Sequence, residues 1–263
     1  MDRREVLKVA LTAATAYATG FVVTEEIERK TMAPRPAPAT NTAYLFADGF
    51  NGPAGSPPDP SKWNFVTGQQ NDIHPGTVGT YTAQERNCYV DGHSHLVLRA
   101  QSDHSSARLN TRGKFQHQYG SWQAKIKYSG APGCWPAWWC VGNIYPADGE
   151  IDIFEAYGNG RWSPDTTVWA PNMEDKQTVH VPAMSDGEWH IWQMDWVQNA
   201  GFKFYQDGNE YLSVAPSSLP DWCYDSGDQL YMIINIALGG AGGGSFAGTK
   251  WPVELLVDYI QVW

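Results

Sequence analysis

The sequence is short of charged residues, of cysteines and of long apolar runs. Charged side chains make up 17% of its 263 residues, with 18 Lys and Arg against 28 Asp and Glu. An acidic chain without a basic stripe is a poor nucleic-acid binder, because neutralising phosphates requires clustered lysines and arginines. No run of 18 apolar residues follows the N-terminal segment, so we expect no membrane-spanning helix in the body of the protein.

Only four cysteines are present, and they form no pattern typical of a metal site. Cys134 and Cys140 fall in one probable strand, too far apart along it to pair with each other. A disulfide from either of them to Cys88 or Cys223 and a set of buried free thiols are both compatible with the sequence. We expect no metal ion at these residues.

Helical periodicity is also missing beyond the N-terminal segment, whereas strict two-residue alternation is frequent. Residues 122–128 and 192–196 alternate apolar and polar side chains, which is typical of half-buried strands. Residues 230–238 are continuously apolar and suit a central strand, and Asp207-Gly208 is a typical hairpin turn. Short strands between turns, without long helices, predict an all-β sandwich or barrel.

The N-terminal region differs in composition from the remainder. Arg3-Arg4 precede a weakly apolar segment, a pattern similar to a twin-arginine export signal over residues 1–30, which is either cleaved or retained as an anchor. Residues 31–42 are rich in Pro and Ala and read as a linker, and residues 43–263 form one domain. We therefore expect a protein that is secreted or held at the cell surface.

An acidic cluster is the clearest functional signal. Glu150 and Asp152 share one face of a predicted strand, and a β-bulge at Ile153-Phe154 would bring Glu155 to the same face. Two neighbouring carboxyls serve glycoside hydrolysis, one as nucleophile and the other as general acid and base. A solvated strand face and a cation site are the alternatives for such a cluster.

Tryptophans stand close to the acids, and the whole chain contains 13. Trp135 and Trp139 share a face of the preceding strand and offer aromatic surfaces on which sugar rings stack, whereas Trp138 is assigned to the core. Trp169 adjoins a predicted loop and is a further candidate for the sugar-binding surface.

At these residues the sequence resembles glycoside hydrolase family 16. Glu150-Ile-Asp152-Ile-Phe-Glu155 is similar to the bulged form of that family's E-x-D-x-x-E motif. Further similar segments follow in order along the chain: Asp48-Gly-Phe50, Arg108-Leu-Asn-Thr111, Trp135-Pro-Ala-Trp138-Trp139, Asp186-Gly-Glu-Trp189 and Asn235-Ile-Ala-Leu-Gly239-Gly240.

The resemblance implies a concanavalin-like jelly-roll β-sandwich of two curved antiparallel sheets that hydrolyses a β-linked polysaccharide internally with retention. It implies that Glu150 is the nucleophile, Glu155 the general acid and base, and Asp152 the assisting acid. The bulged motif is similar to that of laminarinases, which favours β-1,3-glucan. The substrate-binding residues that it implies are Trp135, Trp139, Arg108 and Asn87.

Some features depart from the family or leave alternatives open. Gly49 stands where the family usually has Glu, which argues against the family's frequent structural calcium, and no cofactor is expected. Trp169 stands where laminarinase-like members often have His, and residues 239–244 lack a Trp common in that loop. A non-catalytic carbohydrate-binding sandwich, a transglycosylase and an enzyme for mixed-linkage glucan or galactan are the alternative functions. We expect a monomer.

Overall fold

In a computed structural model the described residues are 43–160, 164–181 and 185–263. They lie in one compact unit, Pro34–Trp263. The predicted export signal and linker fall outside the described residues, so export remains a prediction. Within the described ranges, no helix is long and apolar enough to cross a membrane.

The described residues form eighteen strands and very little helix. The strands are β1 (Phe46–Asp48), β2 (Asn64–Phe65), β3 (Gly68–Gln69), β4 (Thr80–Tyr81), β5 (Cys88–Val90), β6 (Leu96–Ala100), β7 (Ser105–Ser106), β8 (Arg108–Asn110), β9 (Gly120–Ser129), β10 (Cys134–Val141), β11 (Glu150–Ala156), β12 (Pro164–Trp169), β13 (Lys176–His180), β14 (Asp186–Val197), β15 (Gly201–Gln206), β16 (Asn209–Val214), β17 (Tyr231–Leu238) and β18 (Val253–Val262). One turn of α-helix, α1 (Gly240–Gly243), and two 3₁₀ turns, Gln70–Asp72 and Pro216–Ser218, complete the elements.

Two large antiparallel sheets contain most of the strands. The first has the order β16-β15-β14-β9-β18-β6-β5, with β1 also paired to β18, and the second has the order β13-β12-β11-β10-β17-β8-β2. The strands predicted from alternation are confirmed as β9 and β14, and the predicted hairpin is β15–β16. The continuously apolar segment is β17, all of whose residues are buried.

The core lies between the two sheets. Phe154 of β11 packs against Trp192 of β14 with ring centroids 5.1 Å apart, so these strands face each other across it. Trp138 is fully buried in this core, as predicted. Because side chains alternate along β10 and β11, the residues between those core positions point to the opposite face of the second sheet. That face carries the acidic cluster.

All four cysteines are free thiols. Cys88, Cys134 and Cys140 are buried and Cys223 is half-buried. Of the two states that the sequence left open, the structure has the free thiols.

Candidate active site

A β-bulge aligns the three carboxyls. On β11, Asp152 pairs with Trp139 of β10 and Phe154 pairs with Trp138, so Ile153 is the extra residue. The register with β12 shifts in the same interval, between Asp152 and Glu155. The bulge predicted from the sequence is therefore confirmed, and it returns Glu155 to the face that carries Glu150 and Asp152.

The three carboxyls line a cavity of about 340 Å³ on this face of the second sheet. The cavity crosses the strands, from β13 and β12 at one side to β10 and β17 at the other. Its other lining residues are His74, Trp135, Ala137, Trp139, Tyr145, Tyr157, Asn159, Trp169, Lys176, Asn235, Ala237 and Ala241. A cavity that runs across strands in this way suits an extended chain ligand.

Glu155 is held by two donors. Trp135 Nε1 donates to its Oε1 at 2.6 Å, and the Tyr157 hydroxyl donates to its Oε2 at 2.6 Å. Burial raises the pKa of Glu155, and the two hydrogen bonds partly oppose that rise. Both carboxyl oxygens are thus fixed in direction, as a group that transfers a proton requires.

Trp135 is itself held in place by a glycine of the loop after β17. A Cβ atom at Gly242 would lie 2.2 Å from the indole of Trp135, so only glycine allows this approach. Asn159 Nδ2 also donates to Ala241 O at 2.8 Å, which ties the loop to the end of the cavity. The glycine-rich loop therefore supports the partner of Glu155.

Asp152 lies between the two glutamates and is buried. Trp169 Nε1 donates to its Oδ2 at 2.9 Å. Burial, followed by the charges of Glu155 and Glu150, raises the pKa of Asp152 well above its usual value. Asp152 therefore favours its protonated form beside an ionised neighbour.

Trp169 lines the cavity, but a lysine covers part of its ring. Lys176 Nζ lies 4.3 Å from the centroid of its ring, on the neighbouring strand. The ammonium therefore covers part of the indole, while the indole nitrogen is used by Asp152. Trp169 therefore orients Asp152, and the area of its ring left for stacking on a sugar is reduced.

Glu150 is the third carboxyl of the cluster whose pKa is raised. Burial and then the charge of Glu155 raise its pKa from 4.5 to about 7, against a hydrogen bond from Tyr145 and the charge of Arg108. The folded state therefore binds the Glu150 proton more tightly than the unfolded chain does. Stability that this proton provides is complete below pH 4.5 and is lost as the pH rises through about 7.

Glu150→Gln is consequently expected to raise the melting temperature at pH 8 and to leave it unchanged at pH 4. The amide carries no charge to bury, and the relief at pH 8 is about 3 kcal/mol, which corresponds to several degrees. Scanning calorimetry between these pH values measures it. Glu188→Gln, at an exposed position of β14, is the matched control. An equal gain in the control, or no gain at Glu150, contradicts this account.

Trp139 forms the floor of the cavity and is only 7% exposed. Its Nε1 donates to Asn235 Oδ1 at 2.8 Å, and the Arg108 guanidinium lies 5.0 Å from the ring centroid. The broad stacking surface expected from the sequence is therefore largely covered at Trp139, whereas Trp135 is only half-buried.

Arg108 and Asn87 are not brought into the cavity lining. Arg108 is 8% exposed and lies behind His74, to which its Nη1 donates at 2.8 Å. Asn87 is 0% exposed, and its Nδ2 donates to Arg99 O and to Ser105 Oγ, both at 3.0 Å. Both hydrogens of the Asn87 amide are thus donated to neighbouring segments of the sheet, so the amide is not available to a sugar.

Several cavity residues were not identified from the sequence. Tyr157 lies two positions after Glu155, so alternation on the same strand face could have found it. Asn235 likewise lies on the same face of β17 as Ala237. His74 lies in a loop without periodicity, and nothing in the sequence pattern marks it.

The residues at Asp48 do not fit the structural calcium ion that the family resemblance raises. Asp48 Oδ1 accepts from Phe50 N at 2.9 Å and Oδ2 accepts from Trp63 Nε1 at 2.8 Å. Lys62 Nζ donates to Ala47 O at 2.7 Å and lies 3.6 Å from Asp48 Oδ1. An ammonium thus stands where a cation with oxygen ligands would compete for the same atoms.

We therefore expect excess EDTA to leave the melting temperature unchanged. Lys62 supplies the positive charge at Asp48, so the fold has no need of a divalent ion there. Scanning fluorimetry with and without chelator measures this. A fall of several degrees that added calcium reverses would contradict it.

Comparison with known proteins decides the family. The sequence profile of the glycosyl hydrolases family 16 matches residues 77–242, more than half of the chain, and this segment contains all three carboxyls. The chain belongs to glycoside hydrolase family 16. The family resemblance and the jelly-roll sandwich expected from the sequence are both confirmed.

Three similar proteins illustrate the relationship. A glucan endo-1,3-β-glucosidase of Niallia circulans is 29% identical over 262 residues, a match that covers 83% of this chain but 37% of that protein. The crystal structure of a family 16 protein from Mycobacterium smegmatis has 38% identity and a TM-score of 0.75, covering 84% of this chain and 100% of that one. A Mycobacterium tuberculosis protein, described as an immunostimulatory antigen and pseudo-β-1,3-glucanase, has 36% identity and a TM-score of 0.75, covering 84% and 99%.

Proposed function

We propose that this family 16 protein is a retaining endo-hydrolase of β-1,3-glucan. The observation that carries the proposal is the bulged strand β11, which places Glu150 and Glu155 on one face with Asp152 between them, inside a cavity that crosses the strands. Two carboxyls at one site with raised pKa values can provide one ionised group and one proton near neutral pH.

In the proposed reaction, the Glu150 carboxylate attacks the anomeric carbon of the bound sugar. Glu155 gives its proton to the departing glycosidic oxygen, so that the bond to the leaving sugar breaks and a glycosyl ester forms on Glu150. Water then attacks the anomeric carbon, Glu155 takes its proton, and the ester bond to Glu150 breaks. The Trp135 and Tyr157 donors support this role, because they fix the direction of the Glu155 carboxyl through both steps.

Asp152 assists in this scheme without forming a bond to the sugar. Its burial and its two acidic neighbours favour the protonated form, which can donate to Glu150. A protonated neighbour lowers the cost of ionising Glu150 within a buried acidic cluster. The Trp169 indole keeps Asp152 turned into the cluster from the other side.

The choice of β-1,3-glucan is supported by the similarity to glucan endo-1,3-β-glucosidase and by the bulged form of the motif. The remaining cavity lining consists mainly of aromatic and small side chains, with Lys176 as its cation. Such a lining suits a neutral sugar polymer better than a heavily charged one.

A non-catalytic glucan-binding protein is the second candidate. The observation that favours it is the 36% identity to a Mycobacterium tuberculosis protein described as a pseudo-β-1,3-glucanase. That candidate leaves the paired glutamates, both with raised pKa values, without a use, which is why hydrolysis is preferred.

Reducing ends released from laminarin, mixed-linkage β-glucan, xyloglucan and agarose distinguish these functions, with Glu150→Gln as the blank. Release from laminarin that the blank lacks is expected. Release from another polymer alone would replace the proposed substrate and keep the mechanism. Products longer than an added oligosaccharide would indicate transglycosylation. No release, with equal retardation of both proteins in glucan-containing gels, would favour the binding protein.

A further inference from the structure

His74 occupies the β10–β17 side of the cavity. Its ring centroid lies 6.0 Å from that of Trp135 and 5.8 Å from that of Trp139, so it lies beside both indoles. It lines the cavity, whereas Arg108, the expected sugar contact, does not. A sugar unit at this side would therefore contact His74 before Arg108.

Arg108 determines which nitrogen of His74 carries the proton. Arginine has only donors, so His74 Nε2 accepts from Arg108 Nη1 at 2.8 Å and Nδ1 carries the hydrogen. Burial and the charge of Arg108 lower the pKa of His74 to about 4, which keeps the ring neutral. His74 is half-buried and lines the cavity, and within the described residues Arg108 is the hydrogen-bond partner of its ring, which leaves Nδ1–H for a ligand.

The loop that carries His74 is firmly attached to the sandwich. The buried Gln70 side chain donates to Ser106 Oγ at 2.9 Å and accepts from Leu238 N at 2.8 Å. Thr77 Oγ1 donates to His74 O at 2.6 Å. The imidazole is therefore presented from a fixed position, which makes its hydrogen bond geometrically selective.

We propose that His74 is a substrate-recognition residue, which donates Nδ1–H to a sugar hydroxyl, and that Arg108 acts through it as a positioning residue. The proposal rests on the proposed function, because it names a determinant of binding in the same cleft. Family membership does not supply this role, since the family profile matches from residue 77 onward and His74 precedes it.

Calorimetric titration of a β-1,3-gluco-oligosaccharide tests the proposal in a Glu150→Gln background, where no turnover occurs. His74→Phe keeps a ring beside the indoles but removes the donor, and Kd is expected to rise about 3- to 10-fold. His74→Asn, which places an amide N–H near the position of Nδ1, is expected to retain most of the affinity. His117→Phe, on the loop before β9 and outside the cavity lining, is the matched control and should bind unchanged.

Arg108→Met provides the readout that separates positioning from structural support. Without Arg108 the proton of the neutral ring is free to move to Nε2, so binding should weaken at pH 7. Two-bond ¹H–¹⁵N NMR spectra, which report the tautomer of a neutral imidazole, should show Nδ1–H for His74 in the parent and a mixture of both tautomers in Arg108→Met.

Two results overturn the proposal: unchanged binding by His74→Phe, and equal losses in His74→Phe and His74→Asn. An Arg108→Met variant in which His74 keeps Nδ1–H, or that binds unchanged, removes the positioning role. Failure of the proposed function has a different signature. If the parent binds mixed-linkage but not β-1,3-linked oligosaccharides, the proposed substrate fails, and the same variants then test His74 on the bound ligand. If the parent binds no glycan, both fail.

Discussion

Glu150→Ala is expected to lower kcat on laminarin by at least about 10⁴-fold. The carboxylate is the proposed nucleophile. The bulge separates it from Glu155, and Asp152 is held by the Trp169 indole, so neither neighbour takes its place. Without it no glycosyl ester can form. Release of reducing ends, followed over long incubations, measures the loss.

Azide distinguishes loss of the nucleophile from loss of structure. The space vacated by the Glu150 side chain opens to the cavity, so a small anion can attack the anomeric carbon from that face. With an activated aryl glucoside as substrate, the expected product is a glycosyl azide of inverted configuration. Glu188→Ala, exposed on the other sheet, should keep full activity and form no azide product. A retained azide product would assign the nucleophile elsewhere.

The sandwich was predictable because its strands alternate at the sheet surfaces. β9 and β14 each bury one face, and apolar and polar residues therefore alternate along them in the sequence. The bulge in β11 could be inferred for a chemical reason. Glu155 would otherwise point into the core, where an unpaired carboxyl is very costly. The three acids were thus found from chemistry and alternation together.

The residues on the β10–β17 side of the cavity could not be predicted from alternation and chemistry in this way. Arg108 and Asn87 lie in segments that the family shares, but their exposure depends on what the preceding loops place over them. His74 covers Arg108, and the contacts of Asn87 with Arg99 and Ser105 join residues far apart in sequence. Trp139 became a floor residue for the same reason, because Arg108 and Asn235 approach it from two other strands.

Glu155→Ala is expected to show an effect that depends on the leaving group. Hydrolysis of laminarin should fall about 10²- to 10⁴-fold, because the sugar oxygen departs without the proton that Glu155 supplies. Bond cleavage in a dinitrophenyl glycoside should be almost unaffected, since dinitrophenolate leaves without protonation. Stopped-flow measurement of the released phenolate should therefore show a burst, followed by slow turnover. The slow step is hydrolysis of the glycosyl ester, because Glu155 is no longer present to activate the water.

The partners of Glu155 supply the control for this result. Tyr157→Phe removes one of its two hydrogen bonds but keeps the carboxyl, and Trp135 Nε1 still holds the other oxygen. Laminarin hydrolysis by Tyr157→Phe should fall far less than in Glu155→Ala and without a burst, because both proton transfers remain possible. Azide should accelerate the slow phase of Glu155→Ala and give a product of retained configuration, because it attacks the anomeric carbon of the glycosyl ester on the face opposite Glu150.

Equal losses on the aryl glycoside and on laminarin would contradict Glu155 as the acid. The leaving-group dependence thus assigns the proton donor independently of the nucleophile.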